Sequence, residues 1–170
     1  MKTVYAGLVA ALAASVLAIG CGGKDKMTVA EFVNKGYELQ LKHEATAAPL
    51  HIKFDEETAD LALTDKLPAE VTDTLTKLFD EEDFFAGELN GIAAPKEVKD
   101  IQREAVAALR ADAAYGRKVV GALSNEATLG DLGAAYENDE GVAVETRREN
   151  ACKSMQKLAD ENGIKVGMNC

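Results

Sequence analysis

The chain has no tryptophan, and only 4 tyrosines and 5 phenylalanines in 170 residues. Sugar-stacking surfaces and single-strand nucleic-acid grooves need aromatic faces, and there is little material to build one. Histidine is as scarce: His43 and His51 are the only two. Neither has a glutamate three residues before it (Gln40 and Ala48 stand there), so the Glu-x-x-His pattern of di-iron bundles is missing. No Cys-x-x-Cys-His run is present for covalent haem attachment. There is no Gly-rich phosphate loop, since Gly130 and Gly133 enclose only Asp131 and Leu132 with no following Lys-Ser/Thr. A Gly-x-Ser-x-Gly elbow is also lacking, and neither histidine stands in a recognisable nucleophile–base signature. These absences point away from an enzyme. Positive charge is in deficit too, with 19 Lys+Arg against 29 Asp+Glu. That balance disfavours nucleic acid and anionic headgroups as main partners.

What is present begins at the N-terminus. Lys2 is followed by a run from Val4 to Gly20 without a charged residue, a short basic region before an apolar one. The run is slightly short and Ala-rich for a membrane span. It ends at Leu17-Ala18-Ile19-Gly20-Cys21, which resembles a lipobox, with isoleucine where a smaller residue is more usual. The resemblance implies cleavage between Gly20 and Cys21 and a diacylglyceryl group on the Cys21 sulfur. Each buried CH₂ contributes about 0.8 kcal/mol, so two or more acyl chains hold firmly. No second apolar run of spanning length follows. The expected organisation is a signal peptide over 1–20, a lipidated tether over 21–27 and a helical domain over 28–170. Removing residues 1–20 takes away Lys2 alone among the charges, leaving 18 basic against 29 acidic residues, a net of −11.

Of the three cysteines, Cys21 is consumed by the anchor, leaving Cys152 and Cys170. An even pair in an oxidising compartment suggests a disulfide; metal binding by two lone cysteines is the weaker reading. Cys152 lies about ten residues before Gly163, roughly 15 Å along a helix. An extended tail from Gly163 to Cys170 spans up to roughly 23 Å, enough to fold back. Closing the loop would stabilise by about 3 kcal/mol in the chain-entropy model.

Along the mature part, Thr28-Val29-Ala30-Glu31 reads as a capping box. A helix follows to about Thr46, with Val29, Phe32, Val33, Gly36, Leu39 and Gln40 on one stripe, ended by Pro49. Leu50 to Thr64 is read two ways. Alternation of Leu50, Ile52 and Phe54, then of Ala59, Leu61 and Leu63, suggests a short β-hairpin near residues 50–64; a short helix capped by Asp55 competes. Pro68 is placed to open a helix that uses Val71, Leu75, Leu78, Phe79, Phe85 and Leu89. Between Lys96 and Leu123 the apolar stripe is the clearest in the chain, running through Val98, Ile101, Ala105, Ala108, Leu109, Val119 and Val120. Thr128 and Asn138 are candidate caps. A last helix is expected from about Val142 to Glu161, burying Val144, Ala151, Met155 and Leu158, with Asn162-Gly163 as its stop. The fold class is therefore mainly α: an antiparallel bundle of three to four main helices, its C-terminal tail tied back by the disulfide.

Candidate chemistry is sparse. His43 with Glu44, and His51 with Asp55 or Glu56, are weak candidates for a surface metal site. Plain solvated histidines are the simpler reading, and no metal or other cofactor is expected. Asp80-Glu81-Glu82-Asp83 and Glu137-Asn138-Asp139-Glu140 lack calcium-loop spacing and read as solvated helix ends or loops. Arg117-Lys118 and Arg147-Arg148 are expected to pair with neighbouring acids. The lipobox, Glu31-Phe32-Val33, Leu89-x-x-Ile92-x-x-Pro95-x-x-Val98 and Ala151-Cys152 with a terminal Cys170 are together similar to small helical lipoproteins of high-GC Gram-positive bacteria. That likeness implies an architecture and a location rather than an activity. Such proteins often carry a cysteine in the first helix, where this chain has Tyr37. The functional expectation is a lipid-anchored envelope protein that binds a partner protein or an extracellular ligand without catalysis. A small-ligand or cation-binding lipoprotein is the alternative. The expected location is the extracytoplasmic face of the cell membrane; in a diderm cell Gly22, rather than Asp, after the lipid cysteine would direct it to the outer membrane.

Overall fold

A computed structural model describes residues 27–168. The signal segment 1–20, the lipid site Cys21, the tether apart from Met27, and Cys170 lie outside the described residues. Those described form a helical bundle: α1 (Val29–Thr58), α2 (Ala69–Gly91), a 3-10 turn (Lys96–Val98), α3 (Lys99–Ala122), the short α4 (Leu129–Tyr136) and α5 (Asp139–Glu161). Among the described residues there is no strand, only an isolated bridge between Lys66 and Thr128. No described helix is long and apolar enough to cross a membrane.

Local chemistry sets the ends. Thr28 caps α1: its hydroxyl accepts from Glu31 N–H at 3.2 Å, and the Glu31 carboxylate accepts from Thr28 N–H at 2.7 Å. Thr128 and Asp131 repeat this capping box at α4, and Asn138 caps α5 through Gly141 N–H at 2.9 Å. Hence α5 begins at Asp139, three residues before the expected Val142. It stops in a Schellman motif. Gly163, at φ +68°, donates to Asp160 O, and Ile164 donates to Ala159 O at 2.9 Å while its side chain packs on the core.

The largest departure from expectation is α1. Pro49 does not end it, and no hairpin forms over 50–64; the helix runs on to Thr58. An interior proline costs about 3 kcal/mol, because it removes one backbone bond and crowds the preceding turn. Pro49 is on the exposed side, where water can reach the freed Ala45 carbonyl. Packing supplies the compensation. Ala47 is buried, and Leu50, Phe54 and Thr58 are partly buried at helical spacing, with Phe54 against the core. Ile52, the middle of the apparent alternation, is 59% exposed. Residues 59–68 form a loop that docks on the start of α4 through Gly130 N–H to Leu63 O at 2.7 Å and Leu129 N–H to Asp65 O at 3.1 Å. A Cβ at Gly130 would lie 2.9 Å from that Leu63 oxygen, so glycine permits the approach.

Two apolar clusters form the core. One joins Phe32, Val33, Ala86, Leu89, Val98, Val106, Met155 and Leu158; the other joins Leu67, Val71, Leu75, Tyr115, Val119 and Leu132. The helix α2 packs on both α1 and α3, and α3 also packs on α5, whereas α1 and α5 barely meet. Gln102 is a buried polar residue with a defined job: its amide donates to Leu89 O at 2.7 Å and Ile92 O at 2.8 Å, satisfying carbonyls at the end of α2.

Candidate binding cleft

Each long helix carries an apolar stripe with steps of three and four residues: Val33, Gly36, Gln40, His43, Ala47 on α1; Leu75, Leu78, Glu82, Phe85, Leu89 on α2; Ala105, Ala108, Asp112, Tyr115 on α3; Val144, Arg148, Ala151, Met155 on α5. In every stripe the chain substitutes one ionisable residue, and the fold brings three of them into direct contact. Glu82 hydrogen-bonds Asp112. Asp112 forms an ion pair with Arg148, with Nε and Oδ2 3.1 Å apart. His43 stands beside them on the α1 side, its ring stacked on Phe85 with centroids 4.8 Å apart and planes 11° from parallel. Its Nδ1 is buried without a hydrogen bond; Glu81 Oε1 lies 3.5 Å away.

This polar layer borders a cleft of about 470 Å³ at the α1–α5 seam. Phe85, Leu89, Ala108, Leu109, Ala151 and Met155 give it apolar walls, and Gln40, His43, Glu44, Glu82, Glu145, Arg148 and Glu149 give it polar ones. A concave site of this size, mostly apolar with a few convergent polar groups, suits a small ligand. The α1–α5 seam stays open because small or polar residues occupy it. Gly36 lies on the α1 wall, and a Cβ there would meet only Met155 at 3.7 Å and Leu89 at 3.9 Å.

The electrostatics follow from burial. Glu82 is pushed up to about 8, chiefly by desolvation, then by the Asp112 charge and hydrogen bond; Arg148 and Arg117 oppose the shift only in part. Glu82 is therefore mostly protonated at neutral pH and donates to the Asp112 carboxylate, which also pairs with Arg148. Tyr136 packs near the same carboxylates; burial, followed by Asp112, Tyr115 and Glu82, raises its phenol above the ordinary range, and its hydroxyl is buried without a partner.

Several expectations are relocated by these contacts. Asp80-Glu81-Glu82-Asp83 is neither a helix end nor a loop but the middle of α2: Asp80 pairs with Arg117 at 3.2 Å, and Asp83 with Arg117 at 3.5 Å. The basic pairs do meet acids, Arg147 with Glu104 at 2.7 Å and Lys118 with Glu140 at 2.6 Å. Glu137 is the C-cap of α4 and Asn138 to Glu140 open α5, a helix boundary as expected. His51 lies two turns beyond His43 on α1 and is exposed, so the two histidines do not share a site. Among the described residues, no group of three or more His, Cys, Asp or Glu side chains is placed to hold a metal ion. Cys152 lines the cleft from α5. Glu82, Asp112 and Arg148 were not singled out as a site in the sequence, yet the signal was there: each is a polar residue at a position where its stripe calls for an apolar one. Comparison with family models, with curated proteins and with solved structures found no match.

Proposed function

We propose that the chain is a lipid-anchored extracytoplasmic lipoprotein of the cell envelope that binds a small extracellular ligand in the α1–α5 cleft and does no catalysis. The cleft is the observation that carries the binding part: its volume of about 470 Å³ and its mixed lining favour a small molecule over a flat protein contact. The anchor rests on Leu17-Ala18-Ile19-Gly20-Cys21 and the charge-free run before it. In this reading the four long helices form an antiparallel bundle held away from the lipid by the short tether. Contacts that run in opposite order along α2 and α3 support that arrangement: Gln102 meets Leu89, Arg110 meets Asp83, and Arg117 meets Asp80.

The same reading ties Cys170 to Cys152. Gln156 clamps the returning tail, donating to Val166 O at 3.0 Å and accepting from Met168 N–H at 2.8 Å. Cys152 is one helical turn before Gln156, and the tail as far as Met168 runs back along α5. Radiolabelled palmitate tests the anchor: the parent chain should take up label and the Cys21→Ser chain should not. Label on both, or on neither, would refute it. A peptide map without reduction should contain Cys152 and Cys170 in one crosslinked fragment.

A further inference from the structure

We propose that the cleft takes an amphipathic organic cation, its ammonium group held at the Glu82 carboxyl, which Asp112 backs from outside the lining, and its apolar body lying against Phe85, Leu89, Leu109 and Met155. The proposal rests on the reading of the cleft as a binding site and adds the chemical class of the ligand. Charge complementarity makes the choice. Glu44, Glu145 and Glu149 line the cleft with the protonated Glu82; Glu149 pairs with Lys153 at 2.6 Å, and the one lining guanidinium, Arg148, already pairs with Asp112 at 3.1 Å. An anionic ligand would have to displace Asp112 from Arg148 and then face those carboxylates. A metal ion would need three or more donors together, and the described residues offer no such group. An organic ammonium needs one or two carboxylates and an apolar or aromatic wall, which is what the cleft presents.

A proton links the ligand to the site. Glu82 holds a proton that it shares with Asp112, because burial and the neighbouring carboxylate disfavour a second negative charge. A cation arriving there supplies the missing positive charge, and Glu82 releases its proton to solvent. The groups facing Glu82 are His43 and Glu44 from α1, Asp112 and Arg117 from α3, Tyr136 from α4, and Glu145 and Arg148 from α5. Affinity should therefore rise by up to about tenfold per pH unit between pH 6 and 8 and level off above. His43 stacks on Phe85 at the cleft wall, so the pH series is repeated with His43→Asn as a control.

The test is calorimetry on the full-length chain in non-ionic detergent, with empty micelles as the blank. The probes are phenyltrimethylammonium, benzyl alcohol and benzenesulfonate, which share a ring and differ in charge. Phenyltrimethylammonium should bind one to one, at least tenfold more tightly than the other two. Gly36→Phe should abolish its binding by filling the cleft. Glu82→Gln should weaken it about tenfold or more and flatten its pH dependence, and circular dichroism on both variants confirms that they are folded. Benzyl alcohol or benzenesulfonate binding as tightly as the cation, and blocked by Gly36→Phe, would overturn the cation class and leave the binding cleft standing. Binding of the cation that survives Gly36→Phe in the folded variant would overturn its placement in the cleft. Silence from all three probes would overturn the cation class together with the small-ligand reading.

Discussion

Along the seam between α2 and α3, Val71 and Leu75 join Tyr115 and Val119 in one apolar cluster, and the helices close until Phe79 rests on Gly116. Along the seam between α1 and α5, Gly36, Gln40 and His43 look across at Arg148, Cys152 and Met155, and about 470 Å³ is left open. Both seams use the same stripe spacing. The difference lies in volume and polarity at corresponding positions. Large apolar residues opposite a glycine interlock; glycine and ionisable residues on both sides hold the helices apart. One seam carries stability, and the other carries a concave surface with tunable charge.

The contrast is sharpest for one substitution made in both places. Leu75→Ala removes a side chain that is 8% exposed in the closed cluster and should cost about 2–4 kcal/mol in urea unfolding. Leu109→Ala, on the wall of a space already open, should cost about 1 kcal/mol, since little new cavity is made. Equal costs would show that the cleft is closed in solution. Gly116→Ala tests the tight contact from the other side. Its Cβ would fall 2.2 Å from Phe79 Cε1, and overpacking should destabilise by about 1–3 kcal/mol, which thermal unfolding would register.

The third test concerns charge. Glu82 keeps its proton up to about pH 8 in the folded chain and up to about 4.5 as an ordinary glutamate. Between those values the folded state binds more protons than the unfolded state. The Glu82 contribution to stability is therefore largest at low pH and is lost as pH rises toward 8. Glu82→Gln, which preserves a hydrogen-bond donor to Asp112, should flatten that fall and gain about 1–2 kcal/mol at pH 8 over the parent. Unfolding curves from pH 5 to 8.5 would show it, and parallel slopes for parent and variant would refute it. The smallest effect is expected at Gly36, where a methyl group finds ordinary contacts. Gly36→Ala should stabilise α1 by about 0.5–1 kcal/mol through lower chain entropy, and a loss of stability would mean that α1 and α5 approach more closely.

Periodicity made the helices at 69–91 and 99–122 legible, because Val71, Leu75 and Leu89, and likewise Ile101, Ala105 and Val119, repeat at helical spacing over many turns. The capping pair Thr28 and Glu31 and the stop at Asn162-Gly163 were legible for the same reason: they act through neighbours in the chain. Pro49 misled, because a proline rule describes the local cost alone. Leu50, Ile52 and Phe54 misled, because over so few residues alternation and helical spacing fit equally well until burial shows which residues face inward. The site was less legible than the fold. Glu82 reads as one acid among four in Asp80-Glu81-Glu82-Asp83, and only its place in the stripe marks it.

The sequence by itself determined the helical character and most of the helix ends, since each is written in residues a few positions apart. Tertiary structure decided that α1 would run through its proline, that α1 and α5 would stay apart, and that Glu82, Asp112 and Arg148 would meet. Those outcomes depend on the summed burial of several helices at once, and on how a carboxyl group distant in sequence changes the cost of holding a charge. Neither quantity is a property of any short stretch of the chain.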